Sequence, residues 1–198
     1  ERCDEITMPD ENYESGYANG EIHYITDISS YVSTTRYDRT GAQTYYEKRY
    51  DLGAGWSFDI PSIDTDNSRL ILPGIGTYTL SGNTIKDYPL SDMVLTSDSS
   101  YNNGQFTSYK KLTFSNGTAF YFNSEGLLLA TVDRFDNTVT YKYIEVDEEY
   151  RLSEIIDTIG RSVIIAYSTT DTGKIVTIST PDSNVIELYT QLLDSESY

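Results

Sequence analysis

From residue 126 onward the apolar and polar positions alternate, and short polar clusters interrupt the alternation at regular intervals. In GLLLATVDRFDNTVTYKY (126–143), Val139 and Tyr141 alternate with other residues beyond a polar cluster, and in RLSEIIDTIGRSVIIAY (151–167) Val163, Ile165 and Tyr167 do the same. A period of two is that of a β-strand, whose successive side chains point to opposite faces. Each segment therefore predicts a strand, a polar turn and a second strand ending in tyrosine. KIVTISTPDSNVIELY (174–189) predicts a third such hairpin. Asp133, Asp136 and Asn137 in the first turn, and Asp157, Gly160 and Arg161 in the second, suit a chain reversal. Asp and Asn bond their own backbone, while Gly and Asn tolerate positive φ.

The step of the repeat follows by subtraction. Asp133, Asp157 and Pro181 are 24 residues apart, as are Asp136, Gly160 and Asn184. Tyr143 and Tyr167 keep the same step of 24, whereas Tyr189 follows after 22, so the third copy reads as shortened or degenerate. A repeated unit of this size predicts stacked supersecondary elements, each burying its apolar face against its neighbours. The expected fold is all-β, with antiparallel β-hairpin repeats forming an extended, curved, spiralling sheet.

Upstream the pattern is less regular. Residues 21–24 and 43–50 read as strands between polar turns. In DLGAGWSFDI (51–60), Gly53 and Gly55 precede Trp56, the single tryptophan, which reads as a large apolar core anchor. Within RLILPGIGTYTLSGNT (69–84), Pro73-Gly74 and Ser81-Gly82-Asn83 predict two hairpin turns. Residues 92–105, with SDSS at 97–100 and NNG at 102–104, read as a long surface loop. Residues 111–114 and 118–122 flank Asn116-Gly117, a strong signal for a tight hairpin. Asn116-Gly117-Thr118 is also a glycosylation sequon, relevant only to a eukaryotic source. The chain thus divides into a flexible N-terminal segment (1–19), an N-terminal β-region with the tryptophan element (20–122) and the hairpin repeats (123–198).

Composition agrees with β structure, since 19 Tyr stand against 6 Phe and 1 Trp, with Thr, Ser, Ile and Val filling most strand-like runs. The net charge of −17 opposes nucleic-acid phosphates and anionic lipid, and reads as a solubilising surface. The clustered carboxylates Asp64, Asp66, Asp147, Glu148 and Glu149 could offer oxygen to calcium, but they lack the ligand spacing and glycine of a calcium loop. A single cysteine, Cys3, excludes an internal disulfide. Neither a signal peptide nor an apolar run of spanning length occurs, so the chain is expected to be cytosolic or a segment of a longer exported protein; the lack of closing features points to the segment.

Little here suits catalysis. The single histidine, His23, lies in a strand-like run, no G-x-S-x-G elbow occurs, and zinc would need more His or Cys than the chain has. Phosphate-binding glycine loops are missing, and no pair of carboxylates is singled out for glycoside hydrolysis. The expectation is a non-enzymatic protein without cofactor or metal. Tyr13, Tyr17, Tyr45, Tyr46 and Tyr50 leave a competing reading open, a β-sheet adhesin or carbohydrate-binding module with stacking tyrosines.

At the repeat residues the sequence resembles the YD-repeat or RHS family, whose units read as G-x-L, a D-x-x-G-N or D-x-x-G-R turn, and a closing Y-x-Y or Tyr. Gly126, Leu127, Asp133, Asn137, Tyr141 and Tyr143 match in the first copy. Arg151, Leu152, Ile155, Asp157, Gly160, Arg161 and Tyr167 match in the second, and Tyr189 closes the third. Asp136 stands where the family usually has glycine. Gly55-Trp56-Ser57 is similar to the element that opens many such repeat regions, and residues 114–122 are similar to the strand pair that often follows it.

Family members include bacterial wall-associated and polymorphic-toxin proteins, insecticidal toxin-complex subunits and animal teneurins. The resemblance implies a secreted or cell-surface shell of spiralling β-sheet that can enclose a C-terminal toxic domain. The implied partners are further repeats and a C-terminal domain of the same parent chain, with no nucleic acid and no membrane insertion. Cut out of its shell, such a segment exposes an apolar face or edge strand, which a homodimer would cover.

Overall fold

The computed structural model describes residues 58–146, 148–171 and 173–191. Contacts divide the chain into two units. One comprises Phe58–Tyr167 and Thr177–Glu187; of the other, which takes in Glu1–Ser57, Ser168–Val176 and Leu188–Tyr198, only 168–171, 173–176 and 188–191 are described. Gly55 and Trp56, His23, and the five upstream tyrosines lie outside the described residues.

The described residues are all-β and antiparallel, as the alternating pattern predicts. Four short strands, β1 (Ser62–Asp64), β2 (Arg69–Leu72), β3 (Gly76–Ser81) and β4 (Thr84–Ile85), form one sheet in chain order. Nine more form a second sheet: β5 (Met93–Ser97), β6 (Lys110–Phe114), β7 (Ala119–Phe122), β8 (Leu128–Val132), β9 (Thr138–Val146), β10 (Glu149–Ile156), β11 (Ser162–Thr170), β12 (Gly173–Ser179) and β13 (Val185–Gln191). Their order in space is their order in sequence, so every strand pairs with the next and no crossover is needed.

The first sheet buries Ile63, Leu70, Ile71, Leu72 and Leu80. Pro73 and Gly74 occupy the centre of its β2–β3 turn, where Ile75 N–H donates to the Leu72 carbonyl at 3.0 Å and Gly74 has φ 74°. Positive φ at the third residue of such a turn is what a type II turn requires, and glycine supplies it without strain. At the other end, Asp64 is 1% exposed and accepts from Arg69 Nη2 at 2.7 Å and from Asn67 Nδ2 at 2.9 Å. Burial pushes the Asp64 carboxyl up, but the Arg69 and Asn67 hydrogen bonds outweigh it and hold the group below its usual range. Asp64, one of the five carboxylates considered for calcium, is thereby committed to an internal ion pair with Arg69. Among the described residues no group of three or more His, Cys, Asp or Glu is placed to hold a metal.

In the second sheet the apolar run Leu127-Leu128-Leu129-Ala130 is wholly buried, the mark of a strand covered on both faces. One sequence reading here needs correction. Residues 92–105 are not one loop, because Met93–Ser97 form strand β5, with Met93 and Leu95 buried and Val94 exposed. The period of two was present but only five residues long, and the polar residues that follow masked it. Asn116-Gly117 turns a hairpin as expected, with three residues between Phe114 and Thr118 and Gly117 at φ 90°.

The remainder of the expected loop folds back on itself and substitutes for a strand. Ser108 N–H donates to the Tyr101 carbonyl at 2.8 Å, closing a small hairpin around an Asn102–Thr107 bridge. Strand β9 is longer than β8, which pairs with it only over Thr138–Thr140. Beyond that point Gln105 supplies what β8 lacks. Its Nε2 donates to the Tyr143 carbonyl at 2.5 Å, and its Oε1 accepts from Tyr143 N–H at 3.0 Å. Asn103 Nδ2 likewise donates to the Tyr141 carbonyl at 2.8 Å. A side-chain amide carries one donor face and one acceptor, so it can imitate the backbone of a missing neighbour.

Candidate functional site

The repeated unit is built around one turn, used five times among the described residues. In each case the first residue's N–H donates to the fifth residue's carbonyl, the fourth residue's N–H donates to the first residue's carbonyl, and the fourth residue has positive φ. The fourth residues are Gly117, Gly126, Asp136, Gly160 and Ser183, with φ of 90°, 81°, 66°, 85° and 64°. This is the three-residue hairpin loop whose last residue is left-handed.

A side-chain oxygen at the first position locks three of these turns. Asp133 Oδ1 accepts from Phe135 N–H at 2.7 Å and Asn137 N–H at 2.9 Å, and Asp157 Oδ1 accepts from Ile159 N–H at 3.0 Å and Arg161 N–H at 2.9 Å. Asn123 does the same for Glu125 and Leu127, at 3.0 and 2.8 Å. The fifth residue closes the clamp, Asn137 Nδ2 on Asp133 Oδ2 at 2.8 Å and Arg161 Nε on Asp157 Oδ2 at 2.7 Å. Thus Asp133 with Asn137, and Asp157 with Gly160 and Arg161, form turns as their spacing predicts. Asp136 is left-handed in glycine's place, a conformation Asp tolerates better than most residues.

The third copy differs from its expected register. Its turn runs from Thr180 to Asn184 with Ser183 left-handed, so Thr180 and Ser183, not Pro181 and Asn184, correspond to Asp157 and Gly160. The step from Asp157 to Thr180 is 23. Proline has no N–H and could not make the first-position bond, which places it one residue into the turn.

Two tyrosines fasten the unit at its other end. Tyr143 donates its hydroxyl to the Leu128 carbonyl at 2.8 Å, and Tyr167 donates to the Leu152 carbonyl at 2.8 Å. Both partners lie 15 residues earlier. In both copies the ladder slips just beyond the accepting leucine: Leu129 is passed over where β8 pairs with β7, and Ser153 where β10 pairs with β9. A bulge disturbs the ladder locally, and the tyrosine hydroxyl gives the carbonyl beside it a donor. Leu128, Leu152 and Val176 are all essentially inaccessible and 24 residues apart in sequence, the step of the repeat. No protein-family model matches this chain, and neither does any curated protein or solved structure.

The remaining site residues fall around this frame. Tyr143 is 2% exposed, Tyr141 and Tyr167 are half-buried, and burial pushes the Tyr141 hydroxyl above its usual pKa. Arg151 lies with its guanidinium 5.6 Å from the Tyr167 ring centre, within range of a cation–π contact. Tyr189 is 69% exposed, in contrast to the two earlier closing tyrosines. Gly126 serves two purposes, as the left-handed residue of its turn and as the point where the first sheet touches the second: Ile63 N–H donates to its carbonyl at 2.9 Å. Sequence reading missed the leucine carbonyls, the bulges and Gln105. Only the shared step of 24 between Leu128 and Leu152 hinted at them.

The turn carboxylates make stability depend on pH. The Asn137 side chain holds the Asp133 carboxyl below its usual value, and the Arg161 backbone and side chain hold that of Asp157 down. A carboxyl depressed by folding stabilises the protein fully above the unfolded pKa near 3.8, and that contribution is lost as pH falls through the lower folded value. Denaturant midpoints are expected to fall between about pH 5 and about pH 3, and to fall less in Asp157→Asn, which keeps the Oδ1 acceptor but cannot titrate. Equal slopes in parent and variant would remove Asp157 from the account.

Proposed function

We propose that the chain is a non-catalytic structural segment of a secreted or cell-surface protein of the YD/RHS-repeat kind, contributing hairpins to a β-shell that encloses or displays a C-terminal effector domain of the same parent. The observation that carries this reading is the duplicated clamp: an aspartate-locked turn, a bulge, and a tyrosine hydroxyl on the leucine carbonyl 15 residues back, recurring at a step of 24. Each hairpin carries its own clamp, Leu128 with Tyr143 and Leu152 with Tyr167, and its bulge lies where it pairs with the strand before it, β7 for β8 and β9 for β10. Strand order equal to chain order lets each new hairpin add to the edge left by the last. The burial of Tyr143 favours tyrosine as packing over tyrosine as a stacking platform in the repeats.

Sequencing the parent coding region on both sides tests the reading. Further units with the Asp-x-x-Gly turn and closing tyrosine are expected, together with an export signal upstream and a dissimilar C-terminal domain. Limited proteolysis of the parent should then release that domain only after the repeats are cut. A parent without additional repeat units, or a C-terminal domain digested at the rate of an exposed one, overturns the proposal.

A further inference from the structure

Strand β9 is open along much of one edge. Its neighbour β8 pairs with it only over Thr138–Thr140, and beyond that point its outward N–H and C=O groups meet side chains instead of a strand. Tyr143 turns both of its backbone groups to this side, because Gln105 Nε2 donates to its carbonyl and Gln105 Oε1 accepts from its N–H. The Tyr141 carbonyl likewise faces Asn103 Nδ2. Hydrogen-bonding direction alternates along an antiparallel strand, so Glu145, two residues further on, faces the same way. Residues 98–109 and β9 belong to the same unit, the one built on Phe58–Tyr167.

The segment that covers this edge is a strap. Residues 101–108 form a hairpin of their own, closed by Ser108 N–H on the Tyr101 carbonyl and by the Asn102–Thr107 bridge. The strap is fastened across the sheet by the Tyr101 hydroxyl, 3.0 Å from Thr140 Oγ1, and by the Phe106 ring, edge-on to that of Tyr150 at 5.1 Å. Neither fastening needs the Gln105 amide. Gln105 is exposed, and the turn bond it makes, from its N–H to Asn103 Oδ1, needs only the backbone. Its side chain therefore serves the edge of β9 and not the strap. An unpaired strand edge is a template for a further strand, and covering it is a recognised way of preventing that addition.

We propose that the strap is an autoinhibitory contact: it blocks the open edge of β9, which without it pairs antiparallel with the same edge of a second copy of the chain, two-fold about Tyr143. The register follows from the geometry. Centred on Tyr143, the pairing uses the open stretch from 141 to 145, whereas a centre at Tyr141 would run into β8 and one at Glu145 would run past the end of β9. Tyr141 then lies opposite Glu145 of the second copy, so like charges do not face each other although the chain carries a net charge of −17. Ile144, 41% exposed, comes opposite Lys142, whose aliphatic stem covers apolar surface while its ammonium stays in water. Such a contact is isologous and closes at the dimer.

Replacing residues 102–107 of the whole chain with the two-residue turn Asn-Gly removes the tip of the strap and joins Tyr101 to Ser108, whose backbones already bond. Sedimentation equilibrium and amide hydrogen exchange read the result. The variant's weight-average mass is expected to rise with concentration, by up to about twofold over the parent's. Its Tyr143 amide should exchange fast when dilute and slowly when concentrated, whereas the parent's exchanges slowly at both. Gln105→Gly keeps the backbone of the strap and should show the same concentration dependence at Tyr143, which guards against a shortened loop that fails to fold. Adding Glu145→Pro removes one outward N–H without touching the ladder between β9 and β10, and is expected to return either variant to the parent's mass. A folded variant with the parent's mass and no concentration-dependent protection of Tyr143 overturns the proposal. So does association that survives Glu145→Pro, which would place the contact on another edge, such as that of β13.

Discussion

Gly126→Ala is expected to destabilise the protein by about 3–5 kcal/mol, enough to leave a domain of ordinary stability marginal or unfolded. Two effects add. At φ 81° a side chain is strained wherever it points, at roughly 1–2 kcal/mol. In addition, an added Cβ would stand 1.8 Å from the Ile63 carbonyl oxygen and 2.7 Å from its carbon. Both are backbone atoms of the first sheet, so relief requires the two sheets to separate, and the Ile63 N–H to Gly126 bond goes with them. Gly160→Ala separates the two effects, because Gly160 has φ 85° with nothing within 4 Å of an added Cβ. It should cost only the strain, about 1–2 kcal/mol, as the left-handed Asp136 and Ser183 in equivalent places suggest. Equilibrium unfolding in urea measures both, and equal losses would mean that the contact with Ile63 contributes nothing.

Arg69→Met is expected to cost about 3–5 kcal/mol at neutral pH, since it leaves Asp64 buried and charged without its partner. Nor is the loss constant with pH. In the parent, Arg69 and Asn67 hold the Asp64 carboxyl low, so its contribution is complete above about 3.8 and declines below it. In the variant burial dominates and raises the carboxyl above the unfolded value; the charged form is then penalised, and stability recovers as pH falls through the raised pKa. The two stability curves should therefore converge in acid. Asp64→Asn avoids a buried charge and keeps an acceptor for Asn67, so it should cost less, about 1–3 kcal/mol. A difference between Arg69→Met and parent that stays constant from neutral to acid pH would show that Asp64 is not the group responsible.

Asn123, Asp133 and Asp157 lock the same turn with the same two backbone bonds, yet only the first lines the space between the sheets. A repeat array offers this opportunity wherever it adjoins a different element, because a position whose structural duty tolerates several residues is free to acquire another at the junction.

Much of the repeat was legible in the chain because its determinants are local. Alternation over 138–146 and 162–170 dictates strands, Asp at the head of a turn caps the next few N–H groups, and a residue able to turn left-handed must stand fourth; all of this is decided within five residues. The step of 24 and the closing Tyr143 and Tyr167 could be counted directly. What no local pattern could reveal is which distant groups meet. The Tyr143 hydroxyl finds Leu128, Gln105 takes the place of a strand beside β9, and Gly126 is irreplaceable because the Ile63 carbonyl occupies the space of a side chain. Each depends on the separation of segments that approach only when the sheets assemble. The third copy shows the same limit at short range, since a count of 24 chose Pro181, while hydrogen bonding, which proline's missing N–H forbids, chose Thr180.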